Sequence, residues 1–148
     1  MKKYFAWNLA ALASILLGMT ALTARGQSGT IVIDHTKVAA AFAKGMPLLE
    51  TNKFKVQAGR REAPGEMEQH AADTDIFYVL EGTATLVTGG KPVEARTIAP
   101  GEVRARSIDG GETRQLVKGD IIVIPNGVPH WFKEVKGPFL YYVVKVTN

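Results

Sequence analysis

The chain carries only three histidines, His35, His70 and His130, and no cysteine among its 148 residues. Glu68 stands two residues before His70, a spacing that places both side chains on one face of an extended strand. His130 follows a Pro125-Asn126-Gly127 turn, which itself follows the apolar run Ile121-Ile122-Val123-Ile124. The chemistry within reach is therefore that of imidazole and carboxylate. Without cysteine there is no thiolate zinc site, no disulfide scaffold and no lipoprotein-type acylated terminus. There is also no Gly-x-Ser-x-Gly elbow and no phosphate-binding loop, so nucleophilic catalysis has no candidate. Taken singly, a histidine in a strand is more often a structural or surface residue than a ligand.

The elements that must position these residues read as strands. Lys53-Phe54-Lys55-Val56 alternates polar and apolar, which predicts one buried and one wet face. Arg60 and Arg61 follow, read first as a pair of surface charges and second as one arginine steering an anionic ligand, then a Pro64-Gly65 turn. Asp75 to Leu80 is aromatic and β-branched, Thr83 to Val87 continues beyond Gly82, and Trp131-Phe132 and Phe139 to Val146 supply the last strands. Gly89-Gly90, Pro100-Gly101 and Gly110-Gly111 mark turns. Trp131, Phe132, Phe77 and Tyr78 read as core residues, some facing a cavity and others outward. Thr30 to Asp34 reads as a short β segment, and a single helix is expected near residues 36–44, N-capped by Thr36 and closed by Gly45. Glycine stands at 15 of 148, above the usual ~7%, as suits a fold of many tight turns. Strands separated by Gly/Pro turns, with one short helix, predict an all-β sandwich or closed barrel.

Two segments resemble the paired motifs of the cupin superfamily, in its small single-domain members of the conserved-barrel kind. The second motif has the form Gly-x5-Pro-x-Gly-x2-His-x3-Asn. Gly119, Pro125, Gly127 and His130 fill its fixed positions, and Glu134 stands in place of the last. The first has the form His-x-His, three or four residues, Glu-x6-Gly. Counting back from Gly82 puts Asp75 at the Glu position, His70 at the second His and Glu68 at the first. The resemblance spans roughly residues 50–146. It implies an antiparallel β-barrel of the double-stranded β-helix, or jelly-roll, type with one short N-terminal helix. It also implies a divalent-metal site formed by Glu68, His70, Asp75 and His130. If His130 points inward, the period of two carries Phe132 and Glu134 inward with it.

Two imidazoles with a carboxylate and open positions form the facial arrangement of non-haem Fe(II) oxygenases, and the same donors accept Zn²⁺ or Mn²⁺. The resemblance thus implies a metal-dependent enzyme on a small organic compound, dioxygenase-like first, with isomerase or lyase chemistry behind it. A non-catalytic barrel that captures a small ligand is the competing reading, because a fold so widely reused does not itself decide function. A structural or oligomeric surface protein with a relic site is the third. Family resemblance adds a homodimer as the expected assembly.

The formal charge of +4, from 18 basic and 14 acidic residues, is concentrated at the N-terminus. Lys2, Lys3 and Arg25 lie in a stretch without acidic residues, so residues 27–148 hold 15 basic against 14 acidic, or +1. That balance lacks the clustered basic footprint of nucleic-acid binding. The positive Met1-Lys2-Lys3, the uncharged run from Tyr4 to Ala24 and the small-x-small Ala24-Arg25-Gly26 have the layout of a secretory signal peptide. A periplasmic or secreted single domain over residues 27–148 is therefore expected, without a membrane anchor after cleavage. The alternative is an uncleaved anchor, which Asn8, Ser14, Gly18, Thr20 and Thr23 weaken. The intact mass of protein recovered from the periplasm or medium should correspond to a chain beginning at Gln27, or at Arg25 on the second-choice cut. A full-length mass in the membrane fraction would favour the anchor.

Overall fold

The computed structural model describes residues 29–148, and the expected signal peptide lies outside them. Its elements are helix α1 (His35–Lys44) and strands β1 (Pro47–Glu50), β2 (Phe54–Arg61), β3 (Met67–His70), β4 (Asp73–Thr88), β5 (Lys91–Val93), β6 (Arg96–Ala99), β7 (Glu102–Ala105), β8 (Ser107–Asp109), β9 (Glu112–Leu116), β10 (Ile121–Ile124) and β11 (His130–Thr147). All pairings are antiparallel. One wall of the barrel runs β1-β2-β11-β4-β10 and the other β9-β4-β11-β3-β7-β6, with β5 and β8 forming a side ribbon. This is the all-β jelly roll with one short helix that the resemblance to cupins implies.

Strands β4 and β11 belong to both walls, and each must turn a corner between them. In β4 the corner is Gly82, whose φ of 77° belongs to the left-handed region. A Cβ there would lie 2.5 Å from the Pro138 carbonyl oxygen, so only glycine lets the two strands pass. Opposite it, β11 shifts register between Lys136 and Leu140, around Gly137. The two segments read separately from the sequence on either side of Gly82 are one bent strand, and the same is true of Trp131-Phe132 and Phe139 to Val146.

The core between the walls is aromatic. Phe77, Phe132, Phe139 and Tyr141 lie with ring centroids 5.2 to 5.7 Å apart, packed with Val79, Leu86, Leu116, Ile124 and Val143. Tyr78, expected among the core candidates, faces outward beside Ile76, Ile121 and Val123, all exposed. Trp131 is half-buried at the edge, donating its indole N–H to the Gly65 carbonyl at 2.7 Å.

Three further expectations need correction. Thr30 to Asp34 forms no strand among the described residues; Ile31 and Val32 are exposed and find no neighbour to pair with. Asp34, not Thr36, caps α1: its carboxylate accepts the Thr36 and Lys37 N–H groups at 3.0 and 3.1 Å. Gly45 closes the helix in the left-handed conformation, as expected. The alternation in β2 is real, but it is the polar set that faces the barrel interior, while on the other face Ala58 is buried and Val56 half-buried. Phe54 is exposed, whereas Lys55 reaches Asp73 and Gln57 and Arg61 line the interior. The barrel is polar at this end, so its inward set is the hydrophilic one.

Phe139 has no exposed surface and Ile121 is 70% exposed. Urea unfolding of Phe139→Ala should show a loss of about 3–5 kcal/mol. Ile121→Ala should stay within about 0.5 kcal/mol of the parent. Comparable losses in both would mean that inside and outside are wrongly assigned.

Candidate metal and ligand site

At the polar end of the barrel, four strands, β2, β3, β4 and β11, deliver side chains to one cavity of about 90 Å³. Strand pairing determines which residues meet. His130 opens β11 opposite Glu68 of β3, and Glu68 and His70 in turn lie opposite Arg104 and Glu102 of β7. Asp75 of β4 lies opposite Lys145 of β11. Residues far apart in sequence therefore become direct cross-strand neighbours, the unit of contact in a sheet.

Glu68, His70 and His130 each offer one donor atom, and these atoms lie within 4.8 Å of one another. Both imidazoles are oriented from behind. His130 Nδ1 lies 3.1 Å from the Val128 carbonyl, and His70 Nδ1 lies 2.7 Å from Glu102 Oε2. These partners accept protons, which assigns each ring's N–H to Nδ1 and leaves the Nε2 lone pairs facing the other donors. A partner on the second ring nitrogen is the usual support of a metal-ligating histidine. His130 is almost fully buried, and burial lowers its pKa below the usual histidine value, favouring the neutral imidazole a metal needs. Two neutral imidazoles and a carboxylate suit a divalent ion, so the donor set fits the group that the sequence predicts.

Asp75 reaches the same place but is differently engaged. Its Oδ2 lies 3.5 Å from His70 Nε2 and 3.6 Å from His130 Nε2. Both its oxygens, however, accept from the Lys145 ammonium at 2.7 Å. The same ammonium donates to His70 Nε2 at 2.9 Å. Lys145 thus stands among the donors expected to hold an ion.

Glu68 is flanked by cations. Its Oε1 accepts from Arg61 at 2.9 Å, and its Oε2 lies 3.5 Å from Arg104. Burial alone would raise the Glu68 pKa, but Arg104 and Arg61 outweigh it and hold the carboxyl below the usual range. Arg61 also donates to the Tyr141 hydroxyl at 3.1 Å and rests its guanidinium 4.7 Å from the Phe132 ring centroid. Burial raises the Tyr141 pKa, so the phenol stays protonated. Arg61 is therefore a cavity residue rather than one of a pair of surface charges, while Arg60 is outside, paired with Glu62.

Glu134 departs from expectation. The pairing with β4 shifts between Phe132 and Glu134, and this bulge turns Glu134 out to the surface, where it accepts from Thr85 at 3.1 Å. His35 lies exposed on α1, away from the cavity. Lys145, Glu102, Arg104 and Tyr141 were missed from the sequence. Lys145 sits in an alternating strand where a lysine reads as solvent-facing, and the others lie outside both motifs. A larger hollow of about 330 Å³ between α1 and β1, near Ile33, Lys37, Ala41 and Met46, gathers no comparable set of polar groups.

The sequence matches the model of the family described as Cupin over residues 22–148. No curated protein matches the sequence. Among solved structures, the chain is similar to a protein from Bacillus halodurans at 13% identity and a TM-score of 0.58, covering 82% of this chain and 84% of that one. It is also similar to hydroquinone 1,2-dioxygenase from Sphingomonas sp. TTNP3, solved with 4-hydroxybenzoate bound, at 12% identity and a TM-score of 0.56 over 84% of each chain. KdgF from Halomonas sp. shares 16% identity with a TM-score of 0.51, over 70% of this chain and 79% of that one. At these identities the structures speak for the fold alone. The family match covers the whole described barrel, both motifs included, and the chain belongs to the cupin family.

Proposed function

We propose that this protein is an exported cupin enzyme that binds one divalent metal ion through Glu68, His70 and His130 and acts on a small, acidic organic molecule. The observation that carries the reading is the convergence of three donor atoms within 4.8 Å, with both imidazoles held from behind so that Nε2 faces inward. When bound, the ion supplies Lewis acidity or, if iron, a redox centre for oxygen chemistry. The chain's own residues supply the rest. Arg61 and Arg104 offer positive charge to an acidic substrate group, and Tyr141 offers a hydroxyl at the cavity wall. Phe77, Phe132 and Val143, buried core residues, give the cavity an apolar floor. Oxygenase chemistry is the leading reaction class, with isomerase or lyase chemistry next. The proposed setting is the periplasm or the exterior, with the signal peptide removed and the barrel paired as a homodimer. No helix among the described residues is long and apolar enough to cross a membrane.

A second reading, a metal-free binding protein, is favoured by one feature. The cations Arg61, Arg104 and Lys145 balance the carboxylates Glu68, Asp75 and Glu102 without any ion. A small neutral or acidic ligand would then be held by the arginines and aromatic rings alone.

Protein prepared without a His tag and exposed to Fe(II), Mn(II) or Zn(II) should retain about one ion per chain, as for a single mononuclear site. His70→Ala and His130→Ala should each strip most of it, and Glu68→Gln should weaken binding by about tenfold or more. Full metal content in both histidine variants, read by elemental analysis, would end the metal reading.

The reaction class has its own test. Fe(II)-loaded protein should consume oxygen with one of a panel of small phenolic and keto acids. The Zn(II) form should not, since Zn²⁺ has no redox chemistry. Saturable ligand binding indifferent to the ion, with no product by mass spectrometry, would favour the binding protein.

A further inference from the structure

We propose that Lys145 is a built-in competitor for the metal ion: its ammonium and a divalent cation exclude one another at His70 Nε2. This rests on reading Glu68, His70 and His130 as metal donors. The exclusion follows from the valence of imidazole. With the ring proton on Nδ1 and directed at Glu102, His70 has a single lone pair, on Nε2, and Lys145 donates to it at 2.9 Å. A metal ion must take that same lone pair. The ammonium also brings positive charge to His70, one of the three converging donors, while both Asp75 oxygens hold it there.

The lysine is placed there by the sheet itself. Lys145 and Asp75 are cross-strand partners, and Lys55 and Asp73 form a parallel pair one step away, joined at 3.0 Å. Lys55 lies opposite Lys145 on β2, so each lysine turns to its own aspartate instead of facing a like charge. With Lys145 in place, every buried side-chain nitrogen and oxygen among the described residues has a partner. Lys145 therefore completes the hydrogen bonding of the cluster around His70 and Asp75. Asp75 has two oxygens on the ammonium and so can keep hold of it when it leaves His70. Asp75 then serves as the counter-ion that retains Lys145 beside the loaded site. The ion is left to the three donors that converge.

The consequence is a metal affinity reduced by the fraction of molecules in which Lys145 occupies His70. Removing Lys145 alone would also free Asp75 to become an extra ligand and would leave a buried carboxylate unpaired. The decisive variant is therefore Lys145→Met combined with Asp75→Asn, which removes both charges with little change in shape. Co²⁺ binding, followed by calorimetry and by the ion's visible absorption, should be roughly tenfold or more tighter in this double variant than in the unaltered protein. In the unaltered protein, the rate of Lys145 acetylation by an activated ester, mapped by peptide mass spectrometry, should change when Co²⁺ is added, because the ammonium loses its bond to His70 and keeps only Asp75. This second measurement needs no variant to fold. Equal or weaker Co²⁺ binding by a folded double variant, or Lys145 acetylation unchanged while Co²⁺ is bound, overturns the competition and leaves the metal site standing. Failure of both proteins to bind Co²⁺ removes the metal reading and the competition with it.

Discussion

Lys145 and Asp75 face one another across β11 and β4, and the cavity is assembled around that register. A slip of one residue would turn one of the two side chains to the outer face, because strand side chains alternate with a period of two. It would also carry that strand's core residues outward, Phe77 if β4 moves or Tyr141 and Val143 if β11 moves. The apolar cluster therefore secures the register, and the register places the charges. The ring of His130 stands 6.4 Å from that of Phe77, so the aromatic core forms the floor of the polar cavity.

A buried ion pair of this kind adds little net stability, because desolvation consumes most of the Coulomb gain. What holds the cluster together is the completeness of its hydrogen bonding. Glu102 and the Val128 carbonyl restrain the two imidazoles, Arg61 and Arg104 restrain Glu68, and Thr147 and Lys55 restrain Asp73 at 2.8 and 3.0 Å. Burial would push the Asp73 pKa up, but those hydrogen bonds hold it below the usual range. The side chains are thus preorganised by neighbours on other strands. Such preorganisation is needed whether the cavity holds an ion or a small acid.

Gly59 shows how tightly the two roles are coupled. A Cβ at this position would lie 2.2 Å from the Tyr141 ring, so β2 must be bare there for the tyrosine to lie across it. That ring carries the hydroxyl that Arg61 contacts. A small residue on one strand thereby sets the position of a charged group two residues further along it.

Much of the architecture was legible from local pattern. The Gly119 to His130 segment, the Gly/Pro turns and the helix closed at Gly45 are short-range signals, and each depends on backbone geometry within a few residues. Periodicity likewise put Phe54 with Val56 on one face of β2, Glu68 with His70 on one face of β3, and His130 with Phe132 on one face of β11. It could not say which face is inside, because that depends on whether the interior at that level is oily or polar. Here Lys55, Asp73, Asp75 and Lys145 point in, while Ile76 and Tyr78 point out. The bulge before Glu134 is invisible for a similar reason: it is a mismatch between two strands, not a property of one.

The sequence by itself determined the class of fold, the positions of His70 and His130 within cupin-like motifs, and Glu68 on the same strand face as His70, because those follow from motif spacing and a period of two. Only the tertiary structure decided what surrounds them. The partners Glu102, Arg104 and Lys145 come from strands 32 to 75 residues distant from His70 or Glu68 in the chain. Cross-strand register brings them together, and that register is set by the packing of the whole barrel rather than by any local preference. The same packing placed a lysine where the donor types alone would put a metal ion.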